Sequence, residues 1–392
     1  MTVQVWSVTL GDPKPSSQVA VSPDIPHPPA SRRSLSPLAL LGRDALTILR
    51  NAIYIPLIFW PISLKGKGAD ITNTGKILQV VMFVSSIVLT GGAVGAFVTG
   101  VPSPIIVVAS ITAFININNV IQGGTRIDPP EQHYQRNKYP EESWLFVNGI
   151  ATSTSGLKLI QERLFNLFGR PVIGIHNRTY GIWFDLVECM IQRDLLWETT
   201  DIRDGYNVLT KELEKPEKKK VVLIAHSQGG IITSAWVDRL VSQYSPETLS
   251  KLEIYTFASA ANHFSVPVLE PQPSAPTSTS SDDSSTRVVG GRDKTGSVIK
   301  HVEHFGNTGD FVSRIGVLGF APHPKQAVLE EGEEEGEISE LRGIFAGMIF
   351  ERHNTTGHLL LSHYLNENNS ILDEKNVRKN SHLVTYLQKQ TS

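Results

Sequence analysis

The sequence predicts an α/β protein: a mostly parallel, doubly wound sheet, preceded by a helical, membrane-associated segment. Three observations support this prediction. From Trp144 onward, short apolar runs alternate with helical patterns, as in parallel sheets covered by helices on both faces. One run, VVLIAHSQGG at residues 221–230, passes from a buried strand through a tight turn directly into a helix. Ahead of this domain, residues 77–125 contain no charged residue.

Composition excludes several classes of protein. The chain has 392 residues, with 36 Lys and Arg against 38 Asp and Glu, so no nucleic-acid-binding surface is expected. Cys189 is the single cysteine, which excludes an intramolecular disulfide. The acidic run at residues 330–340 lacks the ligand spacing of a calcium loop. We expect no metal and no cofactor, and the sequence leaves the oligomeric state open.

The N-terminal part divides into two segments by composition. Residues 1–37 are rich in Pro and Ser without sustained apolar periodicity, which predicts disorder. Residues 38–76 begin with apolar residues at helical spacing and continue into a proline-broken apolar run at residues 54–61. This pattern is typical of an amphipathic segment at a membrane interface, although an ordinary domain helix has the same pattern.

Residues 77–122 are predicted to form one or two transmembrane helices. Residues 77–99 are long enough to cross a hydrocarbon core of about 30 Å. A break at Gly100, Pro102 and Pro104 precedes a second apolar stretch at residues 105–121, which is diluted by Asn116, Asn118 and Asn119. That stretch could span, re-enter or lie on the surface, and a buried soluble hairpin is the alternative for the whole segment. We therefore expect a protein integral to, or tightly associated with, a membrane of unspecified organelle.

The side of the membrane depends on the number of crossings. Basic residues precede the apolar stretch, so its N-terminal side is expected to be cytoplasmic. One crossing would place the following domain in a lumen, and two would return it to the cytosol. Asn177, Asn354 and Asn368 lie in glycosylation sequons whose use would indicate a single crossing.

Residues 123–143 carry charge, Gly and Pro and are interpreted as a linker. The α/β domain then occupies residues 144–388, with flexible insertions at residues 266–297 and 328–340. Its predicted strands include residues 144–147, 172–175, 221–225, 252–257, 301–305 and 343–350. Residues 157–168 and 182–213 are predicted to be largely helical.

Ser227 is the candidate nucleophile. A serine at the apex of a strand-turn-helix is held in a strained conformation, so the residues two before and two after it must be small. Ala225 and Gly229 meet this requirement. The usual pattern of this nucleophile elbow is G-x-S-x-G, from which Ala225 departs by one methyl group.

A serine hydroxyl needs a base, and that base needs an acid partner. In α/β-hydrolases the acid and then the base follow the serine along the chain, each on a loop after a strand. Asp310 follows the strand at residues 301–305 and is the candidate acid; Glu270 is a weaker rival, and Asp310 could instead be a turn or cap residue. His358 is the candidate base, with His353 and His363 as alternatives. His226 is expected to pack or hydrogen-bond locally.

Acyl transfer also needs two backbone donors for the oxyanion. The first expected donor is the N–H of Gln228, immediately after the nucleophile. The second is the N–H of Ile150, in the turn that follows residues 144–147.

Residues 144–365 resemble the lipase-like branch of the α/β-hydrolase superfamily. The runs HNRTYGIWFDLVEC, AHSQGG and GHLLLSHYL look like a fungal group of membrane-associated hydrolases. The resemblance implies a triad of Ser227, Asp310 and His358 and hydrolysis of an ester or acyl lipid by a serine esterase. Two alternatives stay open: a catalytically inactive membrane or scaffold protein with this fold, and an acyltransferase using the same triad.

Overall fold

The computed structural model describes residues 3–8, 37–59, 73–267, 297–320 and 345–388. Within these residues, eight strands form one sheet in the order β1-β8-β7-β6-β5-β3-β4-β2. The strands are β1 Val3–Val8, β2 Arg126–Ile127, β3 Glu142–Val147, β4 Val172–Ile175, β5 Lys220–His226, β6 Leu252–Phe257, β7 His301–Gly309 and β8 Gly347–Thr356. Strands β3 to β8 run parallel, whereas β1 pairs antiparallel with β8 and β2 antiparallel with β4. The protein is therefore a mixed α/β fold with a mostly parallel sheet.

Helices cover both faces of this sheet. The described α-helices are α1 Pro37–Asn51, α2 Asn73–Thr99, α3 Pro104–Gln122, α4 Glu131–Gln135, α5 Thr154–Phe168, α6 Ile182–Leu195, α7 Thr200–Leu213, α8 Gln228–Gln243, α9 Pro246–Leu249, α10 Phe311–Ile315, α11 Val317–Phe320 and α12 Lys375–Asn380. The same described residues also form the 3₁₀ segments Ala52–Phe59, Ile371–Asp373 and Leu383–Tyr386 and the π turn Leu360–Tyr364.

Successive side chains of the central strand β5 point to opposite faces of the sheet, and each face has its own hydrophobic core. In β5, Leu223 and Ala225 pack with α7 and α8 on one face of the sheet. Val222 and Ile224 pack with α5 and with the C-terminal residues 360–386 on the other face. Since successive strand residues point to opposite faces, an uninterrupted apolar strand must be covered on both sides. The carboxyl end of β5, where Ser227 follows, therefore lies at the edge between two packed layers.

Two expectations about order in the N-terminal half are corrected by the structure. Val3–Val8, within the segment expected to be disordered, forms the edge strand β1 against β8. Its sequence VQVWSV is rich in strand-forming residues and precedes the prolines on which the expectation depended. The expected linker at residues 123–143 also packs on the domain: β2 joins the sheet, and the buried His133 ring stacks on Phe165 with centroids 3.9 Å apart.

Other boundaries shift or fall outside the described residues. Strand β8 continues to Thr356, so His353 lies in a strand rather than in the expected loop. The predicted helix over residues 182–213 breaks at Leu196, whose φ of 53° is left-handed, and becomes α6 and α7. Most of the two predicted insertions, Glu270 and residues 9–36 lie outside the described residues.

The apolar segment forms an antiparallel helical hairpin of α2 and α3. By length and composition Ile77–Thr99 and Pro104–Gln122 could each cross a membrane, with mean hydropathies of 2.1 and 1.8, although core helices of soluble proteins can pass the same test. The base of the hairpin is fixed to the loop before α6. The Asn118 side-chain amide donates to the Thr179 carbonyl at 2.6 Å, and the Tyr180 hydroxyl donates to Asn119 at 3.0 Å.

Candidate active site

Ser227 occupies the sharp turn between β5 and α8. Its φ of 59° and ψ of −122° are a conformation that non-glycine residues rarely adopt. Neighbouring backbone approaches this turn closely. A Cβ at Gly229 would lie 2.5 Å from the Val147 carbonyl oxygen, and one at Gly149 would overlap the Ser227 side chain. The sequence therefore needs glycine at both positions to bring β3 and its loop against the serine.

The structure brings Ser227, His358 and Asp310 into one hydrogen-bonded row. The Ser227 Oγ lies 2.9 Å from His358 Nε2, and His358 Nδ1 lies 3.0 Å from Asp310 Oδ2. The three residues follow β5, β8 and β7 respectively, so their loops meet at the carboxyl edge of the parallel strands. With Nδ1–H donating to the carboxylate, Nε2 is left as the acceptor for the serine proton.

Asp310 is fully buried and held by several donors. It accepts hydrogen bonds from the Val312 N–H at 2.9 Å, the Ser313 hydroxyl at 3.1 Å and the Tyr364 hydroxyl at 2.7 Å. Burial by itself would raise the pKa of this carboxyl group. The adjacent His358 and these donors outweigh burial, so the pKa of Asp310 is lowered. The carboxylate is thus kept ionised beside the imidazole, while also capping α10.

His226 supports the His358 backbone rather than contacting Ser227 Oγ through its ring nitrogens. Its Nε2 lies 2.9 Å from the His358 carbonyl oxygen, and the two rings have centroids 4.8 Å apart. Burial and, to a lesser extent, the neighbouring His358 lower the pKa of His226 to about 3. A neutral His226 donates from Nε2 to that carbonyl.

The two alternative bases occupy different positions. His353 lies in β8, before the loop that carries His358. His363 lies in the π turn, where its Nδ1 accepts the Leu359 N–H at 2.9 Å. Its ring also packs against Gly357, which has a φ of 94° and no room for a Cβ. Of the three histidines, His358 is the one whose ring reaches Ser227.

The two expected oxyanion donors lie on segments that flank Ser227. Gln228 opens α8, where backbone N–H groups have no partner within the helix. Its side chain is held by Asn177 at 2.6 Å and Gln192 at 3.0 Å. Ile150 lies in the loop after β3, which Asn148 fixes by donating to the Asn177 carbonyl at 2.8 Å.

An apolar cavity of about 320 Å³ opens from Ser227 and His358. Its walls come from the β3 loop, α6, α8 and α10, and include Ile150, Leu186, Cys189, Ile231 and Val312. Burial raises the pKa of the Cys189 thiol well above its usual value. A cavity with mainly hydrocarbon walls and few polar groups fits an aliphatic chain.

The N-terminal segment supplies part of this cavity, which sequence reasoning missed. Ile48 of α1 and Ile55 and Ile58 of the following 3₁₀ segment line it. The His358 N–H donates to the Ile58 carbonyl at 3.0 Å. A buried ion pair between Asp44 and Arg193, 2.7 Å long, attaches α1 to α6. The predicted amphipathic face of this segment thus covers the candidate site.

Tyr364 and Ser313 were also missed as partners of Asp310. Tyr364 lies within the run GHLLLSHYL that carries the family resemblance, which was the available signal. Ser313 carried no signal because a serine three residues after an aspartate is common at helix starts.

One group in the described part of the chain could offer ligands to a metal. Atoms of Glu253, His301 and His382 lie within 4.8 Å of one another. Glu253 and His301 lie at the start of β6 and β7, and so at the edge of the sheet away from Ser227, and His382 precedes the last 3₁₀ turn. Glu253 already accepts from Tyr255 at 2.8 Å and pairs with Lys220 at 3.2 Å. Burial would raise its pKa, but the hydrogen bond from His382 and the Lys220 charge lower it to about 2. The negative charge of Glu253 is therefore already compensated by neighbouring protein side chains.

Residues 144–267 match the family model described as "Putative serine esterase (DUF676)". The match begins within β3, includes β4 to β6, Ser227 and both expected oxyanion donors, and ends before Asp310 and His358. It supports a serine hydrolase in general. A search of the curated proteins finds no match to this chain.

Proposed function

We propose that this protein is a membrane-associated serine hydrolase of the α/β-hydrolase type that cleaves an ester or acyl-lipid bond. The observation that carries the proposal is the 2.9 Å contact from Ser227 Oγ to His358 Nε2, continued by the 3.0 Å contact from His358 to Asp310. Similarity to a serine esterase family over the elbow strand supports the same chemistry.

In the proposed reaction, Ser227 Oγ attacks the acyl carbonyl carbon while its proton passes to His358 Nε2. The negative oxygen is stabilised by the N–H groups of Gln228 and Ile150. His358 then protonates the departing alcohol, and the acyl group stays on Ser227. Water attacks this acyl-enzyme with His358 as base, which releases the acid and restores the serine. Asp310 holds the His358 tautomer and balances its charge throughout.

The cavity indicates which part of the substrate is recognised. An apolar space of about 320 Å³ beside Ser227 favours an aliphatic acyl chain over a charged or sugar-like group. Membrane association is supported by the two long apolar helices, and a lipid substrate would be available at that surface.

The proposal is tested by hydrolysis of p-nitrophenyl esters of increasing acyl length with the full-length, detergent-solubilised protein. Ser227→Ala should abolish hydrolysis. Ser234→Ala is the matched control, since Ser234 is also buried and lies 3.0 Å from a histidine ring, that of His263, but does not line the cavity. Equal activity of the parent and Ser227→Ala would refute the proposal.

A further inference from the structure

The catalytic domain lies against one side of the hairpin of α2 and α3, which otherwise stays exposed. Ile111 and Ile115 of α3 share a cavity with Thr200 and Asp201 at the start of α7. Asp201 is paired there with Arg178, with Oδ1 2.9 Å from Nε. Phe114 also contacts Phe184 of α6, with ring centroids 6.0 Å apart. The half of α3 from Ile111 to its end therefore lies beside polar and charged parts of the domain.

This placement limits how deeply the hairpin can enter a bilayer. Asp204, whose side chain is 47% exposed and pairs with Arg178, and the exposed Arg203 lie beside Asp201 at the start of α7. Such charges are costly to bring into hydrocarbon, so the lipid boundary has to lie between Ile111 and the tip. From Pro104 to residue 110 there are about seven residues, or about 10 Å at 1.5 Å per residue. A hydrocarbon core is about 30 Å thick, so this length stays within one leaflet.

The part of the hairpin near its tip presents side chains suited to lipid. Exposed large apolar residues occur along the whole hairpin, and those near its tip are Val94, Phe97, Val98, Val101, Ile105, Ile106 and Val108. No charged residue lies among residues 94–108. A soluble surface rarely exposes such a continuous apolar patch.

A second exposed apolar area surrounds the mouth of the site cavity and adjoins the hairpin through α6. Leu186 and Ile55 both line the cavity and reach the surface, at 47% and 43% exposure. The neighbouring Leu49 and Ile53 are 70% and 72% exposed. Val187, next to Leu186, lines the cavity shared with α3. The mouth and the hairpin thus belong to one apolar face.

We infer that this face docks on the cytosolic leaflet of a lipid bilayer, with the hairpin inserted only part-way and both of its ends on the same side as the domain. The apolar collar of Leu49, Ile53, Ile55 and Leu186 then meets the leaflet. An ester-bearing lipid enters the cavity from the membrane without crossing water. This entry route depends on the proposed function, whereas the topology does not. Asn354 and Asn368 stay unglycosylated in this arrangement.

Topology is tested with the full-length chain in sealed microsomes and a membrane-impermeant maleimide. Ser103→Cys places a thiol at the exposed hairpin tip, and Ser242→Cys is the matched change on the domain surface. The parent chain, whose single cysteine is Cys189, is the blank and gives the background labelling to be subtracted. We expect immediate labelling of Ser242→Cys, and labelling of Ser103→Cys only after detergent dissolves the bilayer. Labelling of Ser103→Cys after a pore-forming toxin alone, or protection of Ser242→Cys, would overturn the topology.

Lipid entry is tested with Leu49→Glu and Ile53→Glu combined, against Leu159→Glu, an exposed leucine on α5. The substrates are a long-chain ester in phosphatidylcholine vesicles and a soluble butyrate ester. The collar variant should lose at least about tenfold on vesicles, equivalent to about 1.4 kcal/mol, while soluble hydrolysis changes little. Equal loss on both substrates, or no loss on either, would overturn lipid entry. Absence of soluble hydrolysis by the parent chain would count against the proposed function and leave the maleimide result valid.

Discussion

The backbone N–H of His358 donates to the carbonyl oxygen of Ile58 at 3.0 Å. This bond connects the candidate base to a segment about 300 residues earlier in the chain, a separation at which such contacts form through tertiary packing alone. Ile58 also lines the cavity beside Ser227. The N-terminal segment is therefore part of the site and its stability should affect activity.

Asp44→Asn tests that dependence. Asp44 and Arg193 are both buried, and Arg193 also donates to the Ala260 carbonyl at 3.0 Å, next to the turn that holds Ser227. Removing one partner of a buried ion pair costs about 3–5 kcal/mol. We expect a lower unfolding midpoint and slower ester hydrolysis, measured by thermal denaturation and initial rates. Arg50→Gln, at an exposed position on the same helix, should change stability by no more than about 0.5 kcal/mol.

The identity of the base is tested by comparing two histidines. His358→Gln removes the ring that contacts both Ser227 and Asp310, so kcat should fall by about 10⁶-fold, as when the histidine of a catalytic triad is removed. His353→Gln alters a half-exposed position in β8 and should retain most of the activity. The reverse ranking of the two variants would assign the base to His353.

Gly149→Ala tests the close approach of the β3 loop to the nucleophile. The added methyl group would overlap the Ser227 side chain and displace it, and a shift of about 1 Å can cost about 10²-fold in rate. Gly42→Ala is the control, because no atom of the residues that the structure describes lies within 4 Å of the new Cβ on α1. That change should stabilise the helix by about 0.5–1 kcal/mol. Unchanged kcat in Gly149→Ala would contradict the described packing of the site.

His226 should contribute to loss of stability in acid. Its pKa is about 3 in the folded protein and about 6.5 when unfolded. As pH falls from 6.5 toward 3, the unfolded chain binds a proton that the folded protein does not. The free energy of unfolding should then decrease by up to about 1.4 kcal/mol per pH unit from this group. His226→Gln should give a shallower dependence between pH 6 and 4 in denaturant titrations; parallel curves would contradict the assignment.

Local patterns predicted the central strands and the position of Ser227. The apolar run of β5, the small residues Ala225 and Gly229 and the following helix all lie within a few residues of one another. Asp310 and His358 were nominated by chain order, since each follows a strand as in α/β-hydrolases. Their mutual distances depend on the pairing of β5, β6, β7 and β8, which no local pattern specifies.

The remaining features depend on contacts between distant segments. Pairing of Val3–Val8 with β8 joins the two ends of the chain, so a composition-based prediction of disorder missed it. The same holds for the position of Ile58 at the cavity, since its apolar segment is equally suited to a membrane interface or a protein surface. The role of Tyr364 depended on the π turn that directs its hydroxyl to Asp310.

The central claim is that Ser227 is a nucleophile activated by His358. The most direct measurement is reaction of the full-length protein with a fluorophosphonate, followed by peptide mass spectrometry. We expect a single adduct on the peptide that contains Ser227, absent in Ser227→Ala and formed much more slowly in His358→Gln. Failure of the folded parent protein to form this adduct, or an adduct that persists in Ser227→Ala, would contradict the account.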